Sequence, residues 1–285
     1  MNNSIFKDIL EVFKSKNYLF QIIILNAVVF ILLNVILAIV PDEAEQGVVR
    51  FFGLSADIST YYWRIWTLVT YMFTHVGLSH VFFNMFLLYF IGRIFVDLYG
   101  QKRLLQGFIY GGIVGGLLYM VSSVVVTTVS PGSYLIGASG GVMAIIVATG
   151  FLQPNYMVTV FTYRISLKYV VLVAFITSSV LYLDQNTGGK VAHYGGAFYG
   201  YLFAFYLPKG IDLNDHITKY LTNVIAIFKT SPKIKVVHKN DSFKRTPPEE
   251  KSQAEVDKIL DKISKYGYDS LNKEEKDYLF KFSKQ

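Results

Sequence analysis

From Tyr18 to Val40 the chain runs without a charged residue. An α-helix needs about 20 such apolar residues to cross the hydrocarbon core of a bilayer. Lipid offers no hydrogen bonds to an open backbone, so runs of this kind must span as helices or as a closed barrel. The run is too long for a signal-peptide core and lacks a clean small-residue cleavage site, which makes it a retained span. Five further apolar runs follow, at about 79–98, 104–127, 137–153, 167–183 and 191–207. The expected fold class is therefore all-α, a polytopic membrane protein with six transmembrane helices.

Composition supports this class. Of 285 residues, 53% are hydrophobic and 16% charged, with a mean hydropathy of +0.40; soluble domains carry about 25% charged residues. The absence of cysteine excludes disulfides, thiol nucleophiles and thiolate metal sites. The formal charge of +7 is uneven: residues 209–245 hold eight Lys and Arg against three acids, and residues 249–285 hold eight against nine. A basic excess directly after the last apolar run suits the anionic headgroups of a bilayer rather than nucleic acid.

Around the six runs lie segments of other character. Residues 1–17 place Ile5, Phe6, Ile9, Leu10 and Phe13 on one helical face flanked by lysines, the pattern of an interfacial helix. Residues 41–65 read as a polar-to-aromatic loop, part of it at the headgroup level. Gly107, Gly111 and Gly115, with Gly112 and Gly116 beside them, give the third run a small-xxx-small pattern that predicts close helix packing. A second amphipathic, basic helix is expected over 209–230 and a proline-containing linker over 231–250. Over 251–285 the pattern predicts a small cytoplasmic helical hairpin, with Val256, Ile259, Leu260 and Ile263 on one face and an Asn272–Glu275 capping box. Arg93, Lys102, Arg103, Arg164, Lys168 and the basic tail fall on the side of the N-terminus, so the positive-inside rule places both termini in the cytoplasm.

In this topology the second, fourth and sixth runs share a direction, and polar groups cluster at their starts. Gly137-Ala138-Ser139-Gly140-Gly141 opens the fourth run. As a string it matches the nucleophile elbow of soluble hydrolases, which requires a preceding strand; alone, it is weak evidence and fits a helix–helix contact better. His193 lies at the start of the sixth run, and His80 and Asn84 are one turn apart in the second. Polar side chains within a bilayer are costly and mark functional sites. A serine hydroxyl needs a base, for which His193 is the candidate. An oxyanion needs donors, which backbone N–H groups at Gly140, together with His80 and Asn84, can supply. No carboxylate lies at that depth, so a Ser-His dyad is the most the residues support. A metal site is disfavoured because His75 and His80 do not share a helix face and no ligand set completes them. A transporter would need intramembrane carboxylates and matching halves, which are absent.

These motifs resemble the rhomboid family of intramembrane serine proteases over roughly residues 18–208. His75-Val76-Gly77-Leu78-Ser79-His80-Val81-Phe82-Phe83-Asn84 is similar to the family's His-x4-His-x3-Asn, Gly137-Ala138-Ser139-Gly140 to its Gly-x-Ser-Gly, and Ala192-His193-Tyr194-Gly195-Gly196 with Gly200 to its Ala-His-x-x-Gly-x-x-x-Gly. The resemblance implies a rhomboid-like bundle over 18–208 that cleaves single-pass transmembrane proteins near the outer leaflet, without metal or cofactor. It implies Ser139 as nucleophile, His193 as base, His80 and Asn84 at the oxyanion, a structural His75, and helix packing at Gly137, Gly196 and Gly200. The alternative is a catalytically inactive relative that binds transmembrane segments. Two positions depart from the pattern. Thr67 stands where the family has arginine after a tryptophan, with Trp63-Arg64 three residues earlier; Met143 stands where some members have a tyrosine under the histidine ring. The tail resembles an extension on some bacterial members, which implies a bacterial cytoplasmic membrane.

Overall fold

The computed structural model describes residues 5–39, 41–125, 132–160, 162–180, 187–228 and 250–282. The chain divides into two units, Met1–Phe228 and Lys229–Gln285. In the first unit, α1 (Ile5–Lys14) turns into α2 (Tyr18–Leu37). Gln21 closes the turn: its Nε2 donates to the carbonyls of Val12 at 3.0 Å and Ser15 at 2.6 Å, acceptors that a helix end leaves open.

The segment expected as a loop over 41–65 begins instead with a helix, α3 (Asp42–Phe52). Its sequence places Asp42, Glu43 and Glu45 in the first turn and Arg50 in the last, the charge order that favours a helix dipole. The C-terminal carbonyls of α3 are taken up one after another. Arg64 Nη1 donates to Arg50 O at 2.9 Å, Trp66 Nε1 to Phe51 O at 3.1 Å and Thr70 Oγ1 to Phe52 O at 2.8 Å. Arg64 thus anchors this region, and Thr67 Oγ1 in turn holds the Arg64 carbonyl at 2.7 Å.

Next come β1 (Leu54–Ser55), α4 (Thr67–Thr70), α5 (Leu78–Tyr99) and α6 (Gln101–Val125). β2 (Tyr134–Leu135) pairs antiparallel with β1 and delivers the chain to α7 (Ser139–Leu152). A ribbon of β3 (Met157–Val160) and β4 (Tyr163–Ser166) leads to α8 (Leu167–Phe175), which passes into a turn of π-helix over Ile176–Val180. α9 (Thr187–Tyr206) and α10 (Leu213–Phe228) complete the unit. The fold is all-α apart from these two short strand pairs. Among the described residues three helices, α2, α5 and α6, are long and apolar enough to cross a membrane; Ser139–Leu152 and Leu167–Val180 are shorter apolar helices. The ends of the third and fifth apolar runs, 126–127 and 181–183, lie outside the described residues, as does the expected linker except Glu250.

Helix α7 is the centre. From Gly140 to Gly150 every residue is buried, enclosed mainly by α9 and α6. The enclosing helices approach closely because their facing residues lack side chains. A Cβ at Gly196 would overlap the Gly140 carbonyl, one at Gly200 the Ala144 carbonyl, and one at Gly111 the Ala144 Cβ. A Cβ at Gly115 would lie 2.7 Å from Ala192 O. The outer faces of α2 and α5 expose Ile31, Leu32, Val35, Phe82, Phe83 and Phe86, an apolar extent expected of a surface that meets lipid.

Helix α10 is tied to this bundle by polar contacts. Arg103 Nε pairs with Asp212 Oδ2 at 2.7 Å and Lys102 Nζ with Asp215 Oδ1 at 2.8 Å; the lysine holds the Asp215 carboxyl below the usual carboxylate range. Tyr199 Oη donates to Asn214 Oδ1 at 2.5 Å and Gln106 Nε2 to Thr218 Oγ1 at 2.7 Å. Beyond these contacts Tyr220, Leu221, Ile225 and Ile227 are exposed.

The second unit holds α11 (Glu250–Tyr266) and α12 (Lys273–Phe282). Asn272 and Glu275 bond reciprocally at the start of α12, each at 2.9 Å. Lys262 Nζ reaches Glu275 across the pair at 2.9 Å. Val256, Ile259 and Leu271 are buried, while Leu260 is 48% exposed, so the inward stripe of α11 is narrower than the sequence pattern suggests.

Replacing Gly196 by alanine is expected to destabilise the first unit by about 1–3 kcal/mol, the cost of forcing atoms into a packed contact. Gly47→Ala, where a Cβ meets nothing within 4 Å, is expected to leave stability unchanged or slightly raised. Thermal melting of the two purified variants checks the difference.

Candidate active site

The start of α7 is a tightly held corner. Gly137 adopts φ +112°, a conformation side chains disfavour. The space its Cβ would fill is taken by His80, whose Cε1 and Nε2 would lie 2.6 and 2.7 Å away. The Gly137 N–H donates to Tyr71 O at 2.8 Å. The next N–H, of Ala138, donates to His75 Nε2 at 3.2 Å. Tyr71 is fully buried, and its hydroxyl donates to Gly112 O at 2.6 Å. Two consecutive residues before Ser139 are thereby pinned to the Tyr71–His75 segment, and through Tyr71 to α6.

Ser139 follows as the first residue of α7, half-buried between the fully buried Ala138 and Gly140. The first intrahelical bond arriving at this end is Val142 N–H to Ala138 O at 3.0 Å. The N–H groups of Ser139 and Gly140 thus belong to the orphan donors of a helix start, placed where developing negative charge is favoured.

A cavity of about 340 Å³ opens at this corner. Its walls include His80, Phe83 and Asn84 from α5, Ser139 and Met143 from α7, Ser178 from the π-turn, and His193 from α9. The four polar side chains singled out in the sequence share this one cavity. Gly137, Gly140, Gly196 and Gly200 lie at the contacts around it, already described. His193 sits nearly two turns inside α9, not at the helix start as its place in the apolar run suggests.

His193 Nδ1 lies 3.0 Å from Ser178 O. A carbonyl only accepts, so Nδ1 carries the proton and Nε2 keeps its lone pair. That is the form able to take a proton from a hydroxyl. No direct hydrogen bond joins Ser139 to His193 in this structure; such bonds often form only once substrate is present. Among the described residues no aromatic ring stacks on His193. Met143 lines the cavity beside His193, and the Ser178 carbonyl holds the imidazole at Nδ1.

Asn84 is engaged differently from the sequence expectation. Its Nδ2 donates to His80 O, one turn back in its own helix, at 2.9 Å, and lies 3.4 Å from His75 Nε2. To serve an oxyanion the amide must give up one of these contacts. Sequence reasoning missed Tyr71, Ser178 and Ser179. Tyr71 carries no motif, and Ser178 acts through its backbone, which every residue type provides. His75 and His80 meet edge to face at 4.9 Å. Among the described residues no group of His, Cys, Asp or Glu is arranged to hold a metal ion.

The Rhomboid domain model matches residues 62–210, just over half of the chain. The chain belongs to the rhomboid family. A second model, a family of unknown function (DUF6576), matches residues 249–285. The chain is 27% identical over 157 residues to RHOMBOID-like protein 12, mitochondrial, of Arabidopsis thaliana, covering 51% of this chain and 44% of that protein. It is 30% identical over 149 residues to Rhomboid-like protein 16, chloroplastic, of the same plant, covering 48% and 44%. The matched part spans less than half the length of these relatives. The rhomboid domain contains the whole cavity, and with its long apolar helices it makes the chain an integral membrane protein.

His75→Ala is expected to lower stability by about 1–3 kcal/mol, because the Ala138 N–H becomes a buried donor without an acceptor. Thermal melting of the variant in detergent reads this directly.

Proposed function

We propose that this rhomboid-family chain is an intramembrane serine endopeptidase working through Ser139 and His193. The observation that carries the reading is the cavity shared by Ser139 and His193, with the imidazole lone pair left on Nε2. Ser139 Oγ attacks the scissile carbonyl carbon and His193 Nε2 takes its proton. The N–H of Gly140 and the imidazole of His80 stabilise the oxyanion, with Asn84 joining through the amide N–H that does not donate to His80 O. The C–N bond breaks as His193 returns the proton to the leaving amine, and water then hydrolyses the acyl-enzyme by the same route.

We take α2, α5, α6, α7, α8 and α9 as six spans, both termini cytoplasmic by the distribution of basic residues. The length of α7 supports an intramembrane position for the serine. Its 14 residues extend about 21 Å at 1.5 Å per residue, short of the ~30 Å hydrocarbon core. With Leu152 at one boundary, Ser139 lies below the opposite surface, reached by water through the cavity. The substrates proposed are single-pass transmembrane proteins cut near the outer leaflet. The exposed apolar side of α10 and the basic residues after it are proposed to rest on anionic headgroups. The C-terminal pair is read as a cytoplasmic helical hairpin and the membrane as a bacterial cytoplasmic one, on the resemblance of the tail; the relatives above are organellar by name.

A second reading, an inactive relative that binds transmembrane segments, draws on the missing Ser139–His193 hydrogen bond. Cleavage of a single-span protein in liposomes separates the two. Wild type is expected to cleave, and folded Ser139→Ala and His193→Ala to be inactive. Asn84→Ala is expected to lose less than the ~10²–10³ in rate that removal of an oxyanion donor costs, since its amide is bound elsewhere at rest. Cleavage by folded Ser139→Ala overturns the protease reading. For topology, a reporter after residue 208 is expected to read cytoplasmic and one within 132–136 external; the reverse overturns the orientation.

A further inference from the structure

Helix α9 grips the end of α8 through two consecutive side chains and two consecutive carbonyls. His193 Nδ1 meets Ser178 O at 3.0 Å, and Tyr194 Oη donates to Ser179 O at 2.7 Å. The carbonyls belong to the π-helical turn Ile176–Val180, an irregularity that recurs at functional sites in helices. Ser178 Oγ donates back to Ala174 O at 2.7 Å. Ser179 is fully buried, with its Oγ 3.4 Å from the same His193 nitrogen. The Tyr194 ring packs against Phe175 at 6.0 Å, just before the turn. The grip therefore fixes both where the Ser178 carbonyl points and how the imidazole lies.

We infer that the π-turn of α8 is the orienting member of the Ser139–His193 pair, and that Tyr194 is the positioning residue that holds the Ser178 carbonyl against His193 Nδ1–H. The inference rests on the serine protease reading. A base that accepts at Nε2 must keep its proton on Nδ1, and a fixed acceptor at Nδ1 enforces that tautomer. When Nε2 takes the serine proton the ring becomes cationic, and the same carbonyl then accepts a charge-assisted bond, which is stronger. The work that a buried carboxylate does in a triad falls here to a backbone oxygen. Among the described residues that line the cavity none is an acid, and a neutral carbonyl avoids burying a second charge in lipid. One consequence is that the position of α8 and the orientation of the base are linked: a displacement of α8 away from α9 leaves His193 without its restraint.

The test uses the full chain in liposomes. Tyr194→Phe keeps the ring against Phe175 and removes only the hydroxyl. It is expected to lower kcat on a single-span substrate roughly tenfold with KM unchanged, and to slow fluorophosphonate labelling of Ser139 by the same factor. That probe reads the nucleophile and base without binding a transmembrane segment. Ring ¹⁵N resonances of His193 in the wild type are expected to show Nδ1 protonated and Nε2 bare at neutral pH, a readout that needs no variant to fold. A wild-type ring protonated at Nε2 overturns the inference, as does Tyr194→Phe with unchanged kcat and labelling. A raised KM with kcat and labelling unchanged also overturns it, since Tyr194 then shapes only substrate access. These failures leave labelling of Ser139 in the wild type intact; loss of that labelling instead defeats the protease reading beneath.

Discussion

When two apolar helices meet in lipid no water is released, so their association depends on how closely the backbones can pack. In this chain that closeness is set by glycines opposing carbonyls: Gly196 on Gly140, Gly200 on Ala144, Gly115 on Ala192. The contacts on α7 lie one and five residues beyond Ser139, and the contact on α9 lies one residue before His193. The distance between the two helices and the placement of the two functional side chains are therefore one geometric quantity. A methyl group at Gly196 or Gly200 would push α9 from α7, and His193 from Ser139 with it, while one at Gly115 would push α9 from α6.

The second support comes from the side of α5. Tyr71, His75 and His80 hold the two residues before Ser139 by backbone N–H groups and by the space left at Gly137. Ser139 is thus restrained on its N-terminal side by one segment and on its C-terminal side by a buried helix. The imidazole has a matching restraint in the Ser178 carbonyl. Preorganised groups of this kind need no rearrangement as charge develops. Asn84 is the exception, one of its two amide N–H groups being already committed to His80 O.

Much of this was legible in the sequence because membranes enforce simple patterns. Apolar runs had to be helices, and Ser139, His193, His80 and Asn84 stood out as polar groups in costly surroundings; all four line one cavity. Less was legible where function passes through the backbone or through local charge order. The Ser178 carbonyl and the Tyr71 carbonyl belong to no residue type, so no motif announces them. Helix α3 hid because its first half is polar and its apolar residues are too few to form a run. The start of α9 was set too late because Gly188, Gly189 and Lys190 lower its hydropathy, although the helix continues through them. Arg64, three residues before Thr67, places its guanidinium on the Arg50 carbonyl, a contact that no spacing in the sequence announces.

The central claim is that close helix contact, with the restraints from Tyr71, His75 and the Ser178 carbonyl, assembles a reactive serine with a base inside the membrane. The most direct measurement is to treat membranes containing the full chain with a fluorophosphonate and map the modified residue by peptide mass spectrometry. The expected result is modification at Ser139 and at no other serine, lost when His193 is replaced by alanine in a protein that still melts cooperatively. Modification elsewhere, or modification of Ser139 that is indifferent to His193, contradicts it.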